Sequence, residues 1–91
     1  MPSRSDDPQR IERVQTGLRI EKRILKVLKA LAEYHDMTLG DLMEGVLLHV
    51  FEGKLPFGKV TLEIIEQLRQ VYELDLDASD SHRLVEGPRR S

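Results

Sequence analysis

Residues 13–20 read RVQTGLRI, in which Val14, Thr16, Leu18 and Ile20 alternate with Arg13, Gln15, Gly17 and Arg19. A period of two is what a β-strand shows when one of its faces is buried. No other segment of the chain alternates in this way, and a lone strand leaves rows of backbone donors and acceptors unpaired on both edges. The sequence therefore predicts that the strand pairs with the same segment of a second molecule. A two-fold axis lets one sequence supply both sides of an antiparallel pair, so a homodimer is expected.

The chain downstream of the strand has helical spacing. From Glu21 to about His35, Ile24, Val27, Leu28 and Leu31 recur at i, i+3, i+4 and i+7, with Leu25 and Ala32 widening the stripe and Lys22, Lys26, Lys29 and Glu33 on the opposite side. Lys29 and Glu33 stand four residues apart, where they can pair. Asp36 and Met37 interrupt the pattern, and Thr38 followed by Asp41 gives the spacing of a capping box at the start of a second helix. Leu39, Leu42, Met43, Val46, Leu47, Val50 and Phe51 then form an apolar stripe too wide for a single partner helix, which predicts that this helix lies at the dimer centre. Gly53 is the expected left-handed cap at its end, and Pro56 blocks continuation.

A third helix is expected over about residues 61–73, burying Ile64, Ile65, Leu68, Val71 and Tyr72. Beyond it the chain is acidic and then polar, with room for one helical turn between Ser79 and Val85. The organisation read from these patterns is an N-terminal arm at 1–12, a strand-helix-helix domain at 13–53, and an extension at 54–91 that holds the third helix and a polar tail. With 91 residues and no cysteine, the chain has one small core and no disulfide to reinforce it. Association between chains is the remaining common remedy.

Charge is distributed unevenly. Residues 1–30 carry eight cationic side chains against four carboxylates, whereas residues 31–86 carry four against twelve, so a chain of net charge −2 has its basic side chains grouped around the strand. No apolar run approaches the roughly 18–20 residues that span a bilayer, and the first ten residues lack the apolar region of a signal peptide, so a cytoplasmic location without membrane contact is the expectation.

The order strand, helix, capped turn, helix in VQTGLRIEKRILKVLKALAEYHDMTLGDLMEGVLLHVFEG resembles the ribbon-helix-helix family of bacterial and phage DNA-binding proteins, the Arc, MetJ and CopG type. The resemblance covers about residues 13–53. It implies a mainly α fold in which each chain gives one strand to an intermolecular antiparallel β-ribbon and two helices to a shared core, here with a third C-terminal helix. It also implies a transcriptional regulator, typically a repressor, whose ribbon enters the major groove of double-stranded DNA. Carried over by position, the base-reading residues are Arg13, Gln15, Gly17 and Arg19. Arginine can donate two parallel bonds to guanine, and glutamine can make a bidentate contact with adenine. The phosphate contacts implied are the start of the second helix at Thr38, Leu39 and Gly40, with Arg4, Arg10, Lys22 and Arg23 around it. Gly17 departs from the family pattern because it offers no side chain to a base. Asp41 and Glu44 depart from it because they suit the helix dipole and repel an incoming phosphate.

Other readings of the same residues stand beside these. Arg13, Gln15 and Arg19 can be the solvated face of a segment that only dimerises, and Thr38 can be an ordinary helix cap. The extension 54–91 can be a protein-binding arm, as in antitoxins of this fold that neutralise a toxin, or it can pack on its own dimer. His35, His49 and His82 lack a metal-ligand spacing, and SDSHR does not amount to a catalytic triad, so no metal, cofactor or enzymatic activity is expected. Met37, Met43, Tyr34, Phe51 and Tyr72 read as packing residues.

Overall fold

A computed structural model describes residues 8–87. Three helices follow one another: α1 at Lys22–Tyr34, α2 at Leu39–Phe51 and α3 at Lys59–Val71, with a short 3-10 turn at Ala78–Asp80. Glu21 starts α1 by accepting from the N–H groups of Arg23 at 2.9 Å and Ile24 at 3.0 Å, which satisfies two of the donors a helix leaves unpaired at its start. Thr38 caps α2 as expected, its Oγ1 accepting from the Asp41 N–H at 3.1 Å, but the reciprocal bond of the expected capping box, from the Thr38 N–H to the Asp41 carboxylate, is not formed. α3 begins two residues before the expected Thr61, after Gly58, which has no side chain to accept a capping bond.

All three helices end in the same six-residue hydrogen-bonding pattern. After α2, Gly53 adopts φ 74°, its N–H donates to the Val50 carbonyl at 2.9 Å, and the Lys54 N–H donates to the His49 carbonyl at 2.9 Å. Asp36 at φ 59° and Glu73 at φ 54° do the same after α1 and α3, although neither is glycine. These left-handed residues reverse the chain sharply and return both α2 and α3 to α1.

α1 is the central element, since α2 and α3 each pack against it and not closely against one another. Leu31, 1% exposed, sits at the middle of the core with Ala32 and Leu42, and Leu28, Val46, Phe57, Ile64, Ile65 and Leu68 pack around them. Val27 is the remaining fully buried apolar residue among those described. The third helix is thus part of the same core as the first two.

The strand expected over 13–20 is not formed. Among the described residues there is no strand and no sheet, so the expected fold class, a mainly α ribbon-helix-helix dimer with one ribbon strand per chain, is replaced by an all-helical chain with an extended lead-in. Alternation specifies two faces of an extended backbone, but a strand also requires a ladder of backbone hydrogen bonds. The backbone of residues 13–20 bonds to no other described backbone group. Its apolar face remains in solvent, with Val14 78% and Leu18 77% exposed, because α2 and α3 already cover the apolar side of α1.

The molecule exposes more surface than its mass requires. A compact monomer of 10.5 kDa has about 5,400 Å² of accessible surface, whereas this chain has 8548 Å². Its radius of gyration of 15.8 Å likewise exceeds the roughly 12 Å of a globule of this length. Much of the surplus is apolar: Leu47, Leu48, Val50 and Phe51 on α2 are all exposed, Phe51 to 77%. Only Leu42 of α2 is fully buried, so its wide stripe is largely unpartnered.

Candidate nucleic-acid interface

The extended segment is anchored to the rest of the chain by its arginines. Arg13 lies bidentate on Glu44, Nε to Oε2 at 2.9 Å and Nη2 to Oε1 at 3.0 Å, and its Nη2 is 4.0 Å from Asp41 Oδ1. The hydrogen bond and charge of Arg13 hold the Glu44 carboxyl below the usual glutamate range, and the guanidinium is raised in return. This pairing brings the lead-in to the first two turns of α2 and partly neutralises the two carboxylates, Asp41 and Glu44, expected to repel phosphate there.

The α2 start retains the geometry of an anion cradle. The N–H groups of Leu39 and Gly40 fall in the first turn, where no intrahelical acceptor exists, while Thr38 is occupied in capping Asp41. Gly40 is exposed, and a Cβ added there would meet only Thr38 Oγ1 at an ordinary 3.9 Å, so its lack of a side chain leaves space above the turn. Gly17 has nothing within 4 Å of an added Cβ and contributes only backbone.

The remaining site residues divide into paired and unpaired groups. Arg19 Nη2 reaches Glu86 Oε2 at 2.8 Å, with both side chains largely in solvent. Arg23 is much less accessible, its side chain 13% exposed, and it donates to Glu21 Oε2 at 2.9 Å, Asp75 Oδ1 at 2.7 Å and the Glu73 carbonyl at 2.9 Å. Its chief role in the free chain is to clip the start of α1 to the end of α3. Burial pushes the neighbouring Glu21 carboxyl up, but bonds from Arg23 and Ile24 outweigh that and hold it below its ordinary value.

Arg10, Gln15 and Lys22 are exposed and make no hydrogen bond or ion pair with a described residue, and Arg4 lies outside the described residues. Two cations join this group that the sequence reading left unassigned. Lys26 and Lys29 share the outer face of α1 with Lys22, and the expected pair between Lys29 and Glu33 does not form. Lys26 sits 5.8 Å from the centre of the Tyr72 ring. Their i, i+4, i+7 spacing was the available signal: a lysine stripe along one helix face is an electrostatic footprint in its own right.

The histidines show no joint chemistry. His49 Nδ1 is 2.7 Å from the Gly45 carbonyl of its own helix, and His35 Nε2 is 3.5 Å from Thr61 Oγ1. No group of three potential metal ligands converges among the described residues, and no helix there is long and apolar enough to cross a membrane. No family model, no curated protein and no solved structure matches the chain.

Proposed function

We propose that this protein is a dimeric DNA-binding regulator that holds the duplex chiefly through its phosphates. The observation that carries the reading is the set of four exposed cations, Arg10, Lys22, Lys26 and Lys29, that have no carboxylate partner among the described residues and crowd into the first third of a net-acidic chain. Such a grouping is what phosphate attraction requires, and it is independent of base sequence. The α2 start at Leu39 and Gly40 adds backbone donors for a phosphate. Gln15 is the side chain free to reach a base edge, and Arg19, held only by an exposed pair with Glu86, can turn to the duplex, whereas Arg13 is held bidentate by Glu44.

Dimerisation is supported by the surface surplus of about 3,000 Å² per chain, about 6,000 Å² for two chains, which reaches the upper end of what obligate partners bury. The exposed α2 residues Leu47, Leu48, Val50 and Phe51 supply the apolar face that such an interface needs. The toxin-capture reading of 54–91 gains nothing comparable, because Phe57, Ile64, Ile65 and Leu68 pack into the core of their own chain.

Fluorescence anisotropy with a mixed-sequence duplex at increasing salt tests the reading. A dimer presenting these cations should give a logarithmic salt slope of about −7 if all of them meet phosphates. Absence of binding at about 50 mM salt refutes it. Sedimentation of the free protein should show two chains per particle, and Leu48→Lys with Phe51→Lys should reduce this to one.

A further inference from the structure

The acidic segment after α3 lies across the basic start of the molecule. Residues 73–86 carry Glu73, Asp75, Asp77, Asp80 and Glu86 against Arg83 alone, while residues 8–29 carry seven cationic side chains against two carboxylates. The two segments are joined at both ends. At the base, Arg23 holds Asp75 and the Glu73 carbonyl, and Arg69 Nη2 donates to the Leu76 carbonyl at 2.8 Å. Asp77 and Asp80 cap one another's backbone around the 3-10 turn and stiffen the approach. At the tip, the one ion pair among the described residues is Arg19 with Glu86.

Between base and tip the segment does not seal. A groove of 1070 Å³ separates Leu18, Ile20 and Leu25 from Leu76, Leu84 and Val85. Leu18 and Val85 remain 77% and 92% exposed across it. The base is therefore fixed by these three bonds, two of them from the nearly buried Arg23 guanidinium, while the tip rests on an exposed pair of the kind that contributes little stability.

We infer that residues 74–87 form an acidic strap that occupies Arg19 in the free protein and is displaced at its tip by a phosphate of DNA, so that the chain limits its own affinity. The inference rests on the DNA-binding reading above. A carboxylate and a phosphate oxygen compete for the same guanidinium donors, and the phosphate wins when neighbouring cations hold the duplex in place. Salt loosens the strap and weakens the duplex contact together, so the gate acts through competition and not through a change of fold.

The test compares duplex affinities of the full-length protein and of Glu86→Gln at one low ionic strength, with circular dichroism to verify equal helix content. Freeing Arg19 should tighten binding roughly two- to five-fold, the range of an exposed ion pair. Glu63→Gln removes the same charge from an exposed α3 carboxylate that has no cation partner among the described residues, and it should tighten binding less. In an Arg19→Ala background the gain from Glu86→Gln should vanish. If the unaltered protein binds DNA and Glu86→Gln matches it or Glu63→Gln, the strap is refuted and the DNA reading stands. If the unaltered protein does not bind at about 50 mM salt, the DNA reading falls and the strap falls with it.

Discussion

Arg13 and Glu44, which lie 31 residues apart in sequence, meet through two parallel hydrogen bonds of 2.9 and 3.0 Å and so fix the extended lead-in against the second turn of α2. Both side chains are substantially exposed, so the pair orients the segment more than it stabilises the fold. Glu44→Gln should leave the melting temperature nearly unchanged while releasing Arg13. Hydrogen exchange of the 13–20 amides will already be fast for want of backbone partners, so the informative readout is DNA affinity at low salt. Affinity should rise a few-fold as Arg13 becomes available, and an unchanged salt slope would show that Arg13 does not reach phosphate.

Leu31 tests the core. It is 1% exposed and touches the packing of both neighbouring helices, so Leu31→Ala should destabilise the protein by about 3 kcal/mol in denaturant titration. Truncation after Gly53 should also abolish cooperative unfolding, because it removes Phe57, Ile64, Ile65 and Leu68 from around the same residue. A truncated chain that melts like the full one would show that α3 is dispensable to the core.

The helices and the core were legible because their information is local and periodic. Ile24, Val27, Leu28 and Leu31 state a helix face by spacing alone, and Thr38 and Gly53 mark ends with residue types suited to the geometry. Spacing places the helix ends at Asp36 and Glu73, but nothing in an aspartate or a glutamate announces the left-handed backbone that both adopt there. Alternation at 13–20 is necessary for a half-buried strand and insufficient for one, since the hydrogen-bonding partner is not encoded in the segment itself. Arg23 with Asp75 and Arg19 with Glu86, separated by 52 and 67 residues, exist only through the return of α3 and its tail to α1. Charge counts assign a region its sign, but they do not show which cations the fold has already neutralised.

The three helix ends differ in how well their residue suits the backbone. A glutamate in the left-handed region costs more than an aspartate, whose short side chain tolerates it, and glycine costs least in the folded state. Glu73→Gly should therefore raise stability by about 0.5–1 kcal/mol, and Asp36→Gly by less, after the greater freedom of glycine in the unfolded chain is subtracted. Gly53→Ala at φ 74° should lower it by about 1 kcal/mol. Thermal melts of the three variants at one pH establish the order. The Arg23 bond to the Glu73 carbonyl survives the glycine substitution because it uses backbone.

Acid stability follows from the carboxylates that the fold holds in their charged form. Glu21, Glu44 and Asp77 are all lowered: at Glu21 the Arg23 and Ile24 bonds overcome an upward push from burial, at Glu44 the Arg13 bond leads, and at Asp77 the Ser79 bond leads. A group with a folded pKa below its unfolded value stabilises the fold fully above the unfolded value and loses that contribution as pH falls through the folded one. Arg13 and Arg23 are raised, so their contribution persists through neutral pH and would fade only in strong alkali. The melting temperature should accordingly be level from neutrality down to about pH 5 and decline below it. Glu21→Gln retains an oxygen to cap α1 but removes the charge beside Arg23, so it should melt lower than the unaltered protein at pH 7 and converge with it in acid. Parallel curves for the two proteins across the acid limb would show that Glu21 does not carry the titration.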